Sequence, residues 1–212
     1  MLHYQTIPVT PFQQNCSLVW EDATFRAAVI DPGGDLDLLT DAARLLAVTI
    51  EQIWLTHGHI DHAGGAAELA QRLRIPIIGP HPADQFWIDG LAEQGAMFGL
   101  PRAQVFTPTR WLTDGDSVTL ATHRLQVRHC PGHTPGHVVF YCAELQRAFV
   151  GDVLFAGGIG RTDFPQGDHA TLISSITERL WPMGDDTVFI PGHGPESSFG
   201  RERRSNPYVA GT

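Results

Sequence analysis

At 212 residues, with 42% hydrophobic and 17% charged side chains, the chain can bury one full core and is short for two. A formal net charge of −9 argues against a sequence-independent grip on nucleic-acid phosphates. The opening Met1-Leu2-His3-Tyr4-Gln5 has neither a basic start nor an apolar run of signal length, and no later stretch is long and apolar enough to span a bilayer, so a soluble, cytoplasmic protein with no membrane partner is expected.

In chain order, 15–20 and 25–30 read as strands closed by Asp31-Pro32-Gly33-Gly34. A helix follows from Asp35, a candidate N-cap, with Leu36, Leu39, Ala43 and Leu46 at helical spacing. The β-rich run 52–56 stops at His57, a helix is expected over 65–73, and 75–78 reads as a strand. Residues 82–110 fit a lid or a connector: 84–99 has helical character, weakened by Gly90, Gly95 and Gly99. Strands resume at 117–120, 125–128, 138–142 and 148–150, a helix is expected over 169–181, and a last strand at 187–190. Arg201, Arg203 and Arg204, interrupted by Glu202, read as a solvated helix end. The interspersed helices suggest two sheets with helices on their outer faces, a layered α/β sandwich. Cys16, Cys130 and Cys142 show no paired spacing and are expected to be free thiols.

The chemistry concentrates where strands end. His57-Gly58-His59-Ile60-Asp61-His62 packs three imidazoles and a carboxylate into a strand-to-helix loop, a density that a packed core would reject. Three further runs end in the same way: Pro131-Gly132-His133, Gly151-Asp152 and Pro191-Gly192-His193 each place one metal ligand after a glycine. Singly, each is an ordinary loop residue. Together the seven donors divide into two incomplete coordination spheres with one carboxylate left to bridge. Such donors suit zinc foremost, with iron and manganese as alternatives. His137 fits either a role orienting a ligand by hydrogen bond or simple strand capping.

With these motifs the chain resembles the metallo-β-lactamase superfamily: His57, His59, Asp61 and His62 match its HxHxDH motif, and His133, Asp152 and His193 match its later ligands. The resemblance implies a single four-layer αββα sandwich domain over residues 1–212. It also implies one divalent metal on His57, His59 and His133, a second on Asp61, His62 and His193, and Asp152 between them. Asp152, Pro191-Gly192-His193, Pro11-Phe12-Gln13-Gln14-Asn15 and Thr134-Pro135-Gly136-His137 resemble the glyoxalase II, or hydroxyacylglutathione hydrolase, branch. Gly194-Pro195 stands where long members carry a Glu-Tyr pair, and no helical C-terminal domain follows. Asn206-Pro207-Tyr208 and Gly160-Arg161-Thr162-Asp163-Phe164 resemble the short, stand-alone type, with Arg161 a candidate substrate contact.

The implied activity is hydrolysis of a small-molecule thioester of the S-acylglutathione type, S-lactoylglutathione included, by hydroxide generated at two metals, with Asp61 as a steering group as well as a ligand. The alternative is a mononuclear iron persulfide dioxygenase bound chiefly by His57, His133 and Asp152, which oxidises glutathione persulfide. A metal-binding protein without turnover is a third reading. Substrate identity and oligomeric state are not legible at this level.

Overall fold

A computed structural model describes residues 1–100 and 103–211. The chain begins with β1 (Leu2–Val9), β2 (Gln14–Glu21) and β3 (Arg26–Ile30), joined antiparallel. Helix α1 (Leu36–Leu45) returns the chain so that β4 (Thr49–Trp54) lies parallel to β3. Then come α2 (Ile60–Ala63), α3 (Ala66–Leu73) and β5 (Ile77–Ile78), which completes a five-stranded sheet in the order β1-β2-β3-β4-β5. A 3₁₀ turn at Pro82–Asp84 leads into α4 (Gln85–Asp89) and α5 (Leu91–Phe98), which break at Gly90.

The second sheet uses β6 (Ser117–Leu120), β7 (His123–His129), β8 (Val138–Cys142) and β9 (Arg147–Gly151) as an antiparallel meander. A short hairpin of β10 (Leu154–Phe155) and β11 (Gly158–Ile159) stands apart. Helix α6 (His169–Ser174) continues through a π turn at Ser175–Leu180 and a 3₁₀ turn at Trp181–Met183. β12 (Val188–Pro191) pairs parallel with β9, and β13 (Ser197–Ser198) leads into α7 (Phe199–Ser205). The six-stranded order is β13-β12-β9-β8-β7-β6.

Three buried clusters show how the layers stack. Val29, Leu39, Ile53 and Leu69 belong to a core between the first sheet and its helices. Val19, Trp54, Phe140 and Phe149 belong to one between the sheets. Val139, Val150, Leu172 and Phe199 fill the space between the second sheet and the C-terminal helices. The opposite faces of β4 explain the division: Ile53 points to the helices and Trp54 to the other sheet, as the twofold strand period requires. The expected four-layer αββα sandwich is therefore present, and Cys16, Cys130 and Cys142 are buried free thiols.

Two local details depart from expectation. β1 was not anticipated; Pro8 lies within it, which the ladder admits because β1 is an edge strand. Asp35 stands at the start of α1 but does not cap it: its φ is 49° and its carboxylate accepts the Thr10 N–H at 2.7 Å instead. No helix among the described residues is long and apolar enough to cross a membrane.

Candidate metal centre

The strand ends deliver the histidines to one edge of the two sheets. β4 runs out into His57, β7 into the turn bearing His133, β9 into Asp152 and β12 into His193. His57 Nε2 lies 3.2 Å from His59 Nδ1, and His133 Nε2 lies 3.0 Å from that same atom. Tetrahedral coordination at ~2.0–2.1 Å places neighbouring ligand nitrogens about 3.3 Å apart, so these spacings suit a shared cation.

The partners on the far side of each ring sharpen the point. Thr56 Oγ1 donates to Asp31 Oδ2 at 2.6 Å, which leaves the Thr56 hydroxyl oxygen to accept from His57 Nδ1 at 3.0 Å. His133 Nδ1 donates to the Arg161 carbonyl at 2.7 Å, and His62 Nδ1 donates to Asp31 Oδ2 at 2.9 Å. Each of these rings thus keeps its proton on Nδ1 and turns an Nε2 lone pair inward. His59 Nδ1 carries at most one proton and cannot satisfy both lone pairs that meet it.

Burial, followed by the neighbouring imidazoles, holds the His57 pKa well below its usual value. Burial likewise pushes His59 down to about 3 and lowers His133. Neutral imidazole is the form that ligates metals.

The adjoining half is richer in charge. His193 Nε2 lies 3.0 Å from Asp61 Oδ2, and His62 Nε2 lies 3.7 Å from it. Asp152 faces both halves: its Oδ1 is 3.3 Å from His62 Nε2, and its Oδ2 is 3.6 Å from His133 Nε2 and 3.7 Å from His193 Nε2. Burial opposes the charge on His62, but Asp152 and Asp61 outweigh it and hold its pKa well above the usual value, so a metal taken up there would displace the proton from Nε2 and leave the lone pair for coordination. Asp152 and Asp61 are in turn held below the usual carboxylate range, again against burial and chiefly by His62. Buried His62 Nε2 and Asp152 Oδ1, though 3.3 Å apart, are not aligned to hydrogen-bond, and neither has another partner among the described residues. Burying such atoms unsatisfied costs about 1–3 kcal/mol each, a penalty that a cation between them removes. The donor set fits divalent metal.

All seven expected donors are gathered here. Two triplets, His57/His59/His133 and Asp61/His62/His193, have donor atoms within 4.8 Å of one another. A third, Asp31/His57/His62, overlaps them, but Asp31 meets His62 on the nitrogen that faces away from the centre. His137 lies under the site: its Nε2 accepts the Asp152 backbone N–H at 3.0 Å, and its ring stacks on His57 at 4.6 Å. Arg161 is at the rim. Its guanidinium is paired with Asp163 through two hydrogen bonds of 2.9 and 2.7 Å and lies 4.5 Å over the Phe164 ring.

Several supports carried no signal in the sequence reading. Buried Asp84 accepts from Gly58 N at 2.9 Å, Thr134 Oγ1 at 2.8 Å and Gly136 N at 2.6 Å, so one carboxylate ties the His57–His62 loop to the His133 turn. Asn15 donates to the Pro191 and Gly194 carbonyls at 3.0 and 2.8 Å and fixes the loop of His193. Asn206 donates to the Gly158 carbonyl at 3.0 Å and anchors the β10–β11 hairpin, whose Phe155 ring lies 6.3 Å from that of His193. The Asn15 and Asn206 motifs carry only a family resemblance in the sequence; the structure gives each a mechanical task.

Residues 9–193 match the metallo-beta-lactamase superfamily. Over 209 residues, 98% of this chain and 98% of the relative, the sequence is 47% identical to hydroxyacylglutathione hydrolase GloC of Haemophilus influenzae. The BLEG-1 B3 metallo-beta-lactamase has a similar crystal structure, with 34% identity and a TM-score of 0.90 over 99% of this chain and 100% of that one. A protein crystallised in a di-iron-bound form is also similar, with 35% identity and a TM-score of 0.87 over 97% of this chain and 100% of the other.

Proposed function

The chain belongs to the metallo-beta-lactamase superfamily and is a metal-dependent hydrolase, and on that premise we propose that it cleaves S-acylglutathione-type thioesters, S-lactoylglutathione among them, at a two-metal site. His57, His59 and His133 would hold one metal, Asp61, His62 and His193 would hold the other, and Asp152 faces both groups of donors. The observation that carries this assignment is the inward turn of the Nε2 lone pairs of His57, His62 and His133, each fixed by an acceptor behind its ring. The thioester is supported by the full-length similarity to the Haemophilus influenzae hydrolase.

Divalent metals, when bound, would supply Lewis acidity, which lowers the pKa of a water to about 7 and polarises the carbonyl. The chain's own residues do the positioning. Asp31 and Thr56 hold the His62 and His57 rings, and the Arg161 carbonyl holds His133. Asp61 Oδ2, on the more open half beside His193, would orient the attacking water. The departing thiolate is stable near neutral pH and needs no strong acid to assist it. Arg161, with Nε and Nη2 engaged by Asp163, has Nη1 left for a carboxylate of the thiol carrier.

A mononuclear dioxygenase would need one metal, and the presence of a second donor triplet, Asp61, His62 and His193, supports the two-metal reading. The deciding experiment pairs metal analysis of the purified protein with S-lactoylglutathione hydrolysis and persulfide-dependent oxygen uptake. Two equivalents of metal with thioester turnover are expected. One equivalent of iron with oxygen consumption would replace this reading by the dioxygenase.

A further inference from the structure

The ligand rings of the centre differ in what stands behind them. His57, His62 and His133 turn Nε2 inward, and each gives its Nδ1 proton to an oxygen: the Thr56 hydroxyl, the Asp31 carboxylate and the Arg161 carbonyl. His59 is reversed. Its Nδ1 is the atom 3.2 Å from His57 Nε2 and 3.0 Å from His133 Nε2, so once Nδ1 ligates a metal the proton of this ring belongs on Nε2. That Nε2 is buried and meets no hydrogen-bond partner among the described residues. Buried N–H groups normally find an acceptor, and the second nitrogen of a ligating histidine almost always does.

What closes on His59 is aromatic. The Trp87 ring lies 4.4 Å from the His59 ring at 85°, and the Phe164 ring lies 5.0 Å from it at 65°. The Trp87 Nε1–H is itself buried without a partner; it lies in the plane of the indole and can only donate, so the edge that carries it has nothing to offer a second donor. The indole face does, because it carries the negative side of the ring quadrupole and is the strongest of the aromatic faces. Phe164 is farther away and less perpendicular, and one of its faces already carries the Arg161 guanidinium at 4.5 Å. The other rings against His59 are His57 and His133, its fellow donors.

The indole is held where this contact needs it. Asp84, which precedes α4, is tied to Gly58 N and Gly136 N, and a Cβ at Gly58 would fall 2.8 Å from Trp87 Cβ. The glycine between His57 and His59 thus gives α4 room to bring Trp87 against the ligand loop.

We propose that Trp87 is a positioning residue of the metal centre: its face accepts the His59 Nε2–H, keeps Nδ1 free to ligate, and stands in for the oxygen acceptors behind the other rings. This role rests on His57, His59 and His133 holding a metal and is independent of the substrate. An N–H···π contact is weaker than a bond to oxygen. Metal on Nδ1 draws charge from the imidazole and makes its N–H a stronger donor, so contact and metal reinforce each other, and by linkage each gains what it gives.

The test is NMR of the full chain loaded with zinc, correlating histidine ring protons and nitrogens in the wild type, Trp87→Leu, Trp87→Phe and Phe164→Leu. Zinc content and zinc affinity against a competing chelator are measured on the same samples. In the wild type His59 should carry zinc on Nδ1 and a slowly exchanging Nε2–H moved upfield by the indole ring current. Trp87→Leu keeps an apolar side chain but has no π face. The upfield shift should vanish there, and zinc affinity should fall by about tenfold, the lower end of the usual effect of losing a partner behind a ligand. Trp87→Phe should recover most of both, and Phe164→Leu should keep the shift. An Nε2–H at an ordinary position in the wild type overturns the proposal whether or not any variant folds. Unchanged affinity in Trp87→Leu, a Phe variant no better than the Leu variant, or a shift lost only in Phe164→Leu also overturns it. A wild type that takes up no zinc overturns the metal assignment itself, whereas zinc bound without a Trp87-dependent signal at His59 leaves that assignment standing and overturns this role alone.

Discussion

Asp31 Oδ2 lies 2.9 Å from His62 Nδ1 and also accepts the Thr56 hydroxyl at 2.6 Å, so one buried oxygen sets the orientation of two imidazoles. The other oxygen, Oδ1, accepts the Thr56 backbone N–H at 2.7 Å and leaves no freedom for the carboxylate to turn. Asp31→Asn keeps the shape but can present an NH₂ to one of these donors. Metal affinity should fall by about 10–100-fold, the usual effect of losing a partner behind a ligand. Titration against a competing chelator checks this. An unchanged affinity would mean that Asp31 serves the fold alone.

Asp152 is the one donor close to both halves, and its position is set from behind by His137, which accepts its backbone N–H. Asp152→Asn should leave the protein folded with close to one metal bound instead of two. Turnover should fall by more than about 100-fold, because a ligand matters more than the partners behind it. Metal analysis and thioester kinetics on the same sample measure both effects. Two retained metals with ordinary kcat would remove Asp152 from the bridge.

The donors were legible because their signal is local: four donors within six residues, then glycine-preceded ligands at strand ends. Their supports were not, because they act across the chain. Asp31 reaches His62 over 31 positions and Asp84 reaches Gly136 over 52, so Asp31 read as part of a turn and Asp84 as an undistinguished residue in an undecided stretch. That stretch resolves into two helices broken at Gly90 and anchored by Asp84, which makes α4 a fixed wall at its Trp87 end. Residues 101 and 102, also within it, lie outside the described residues. The layers of the fold followed from the alternation of strands and helices, but β1 escaped because its pattern mixes polar residues and a proline on an edge strand.

Gly192 marks how closely the second half is packed. A Cβ there would fall 2.1 Å from Asp152 Oδ1 and 2.6 Å from His62 Cε1, whereas one at Gly194 meets nothing within 4 Å. Gly192→Ala should displace both ligands, release the metal held with Asp61 and His193, and destabilise the protein by about 1–3 kcal/mol through overpacking. Gly194→Ala, at φ 77°, should cost only the backbone strain of a left-handed residue, about 1 kcal/mol. Metal content separates the pair: it should fall in the first variant and hold in the second.

Asp84 gives the fold a defined pH dependence. Burial raises its pKa from 3.8 to about 6, against the hydrogen bonds from Thr134, Gly58 and Gly136. A carboxyl raised in this way binds more protons folded than unfolded between those two values, so wild-type stability falls as pH climbs through the window and is level above it. The shift of roughly two units corresponds to about 3 kcal/mol. Asp84→Asn cannot ionise and loses this slope, while its NH₂ opposes one of the three donors at a cost of about 1–3 kcal/mol. Chemical unfolding of both proteins in chelator, from about pH 4 to about pH 7, reads the difference directly. The wild type's advantage should shrink up to about pH 6 and then stay constant; an advantage constant from the start would show that Asp84 is ionised throughout.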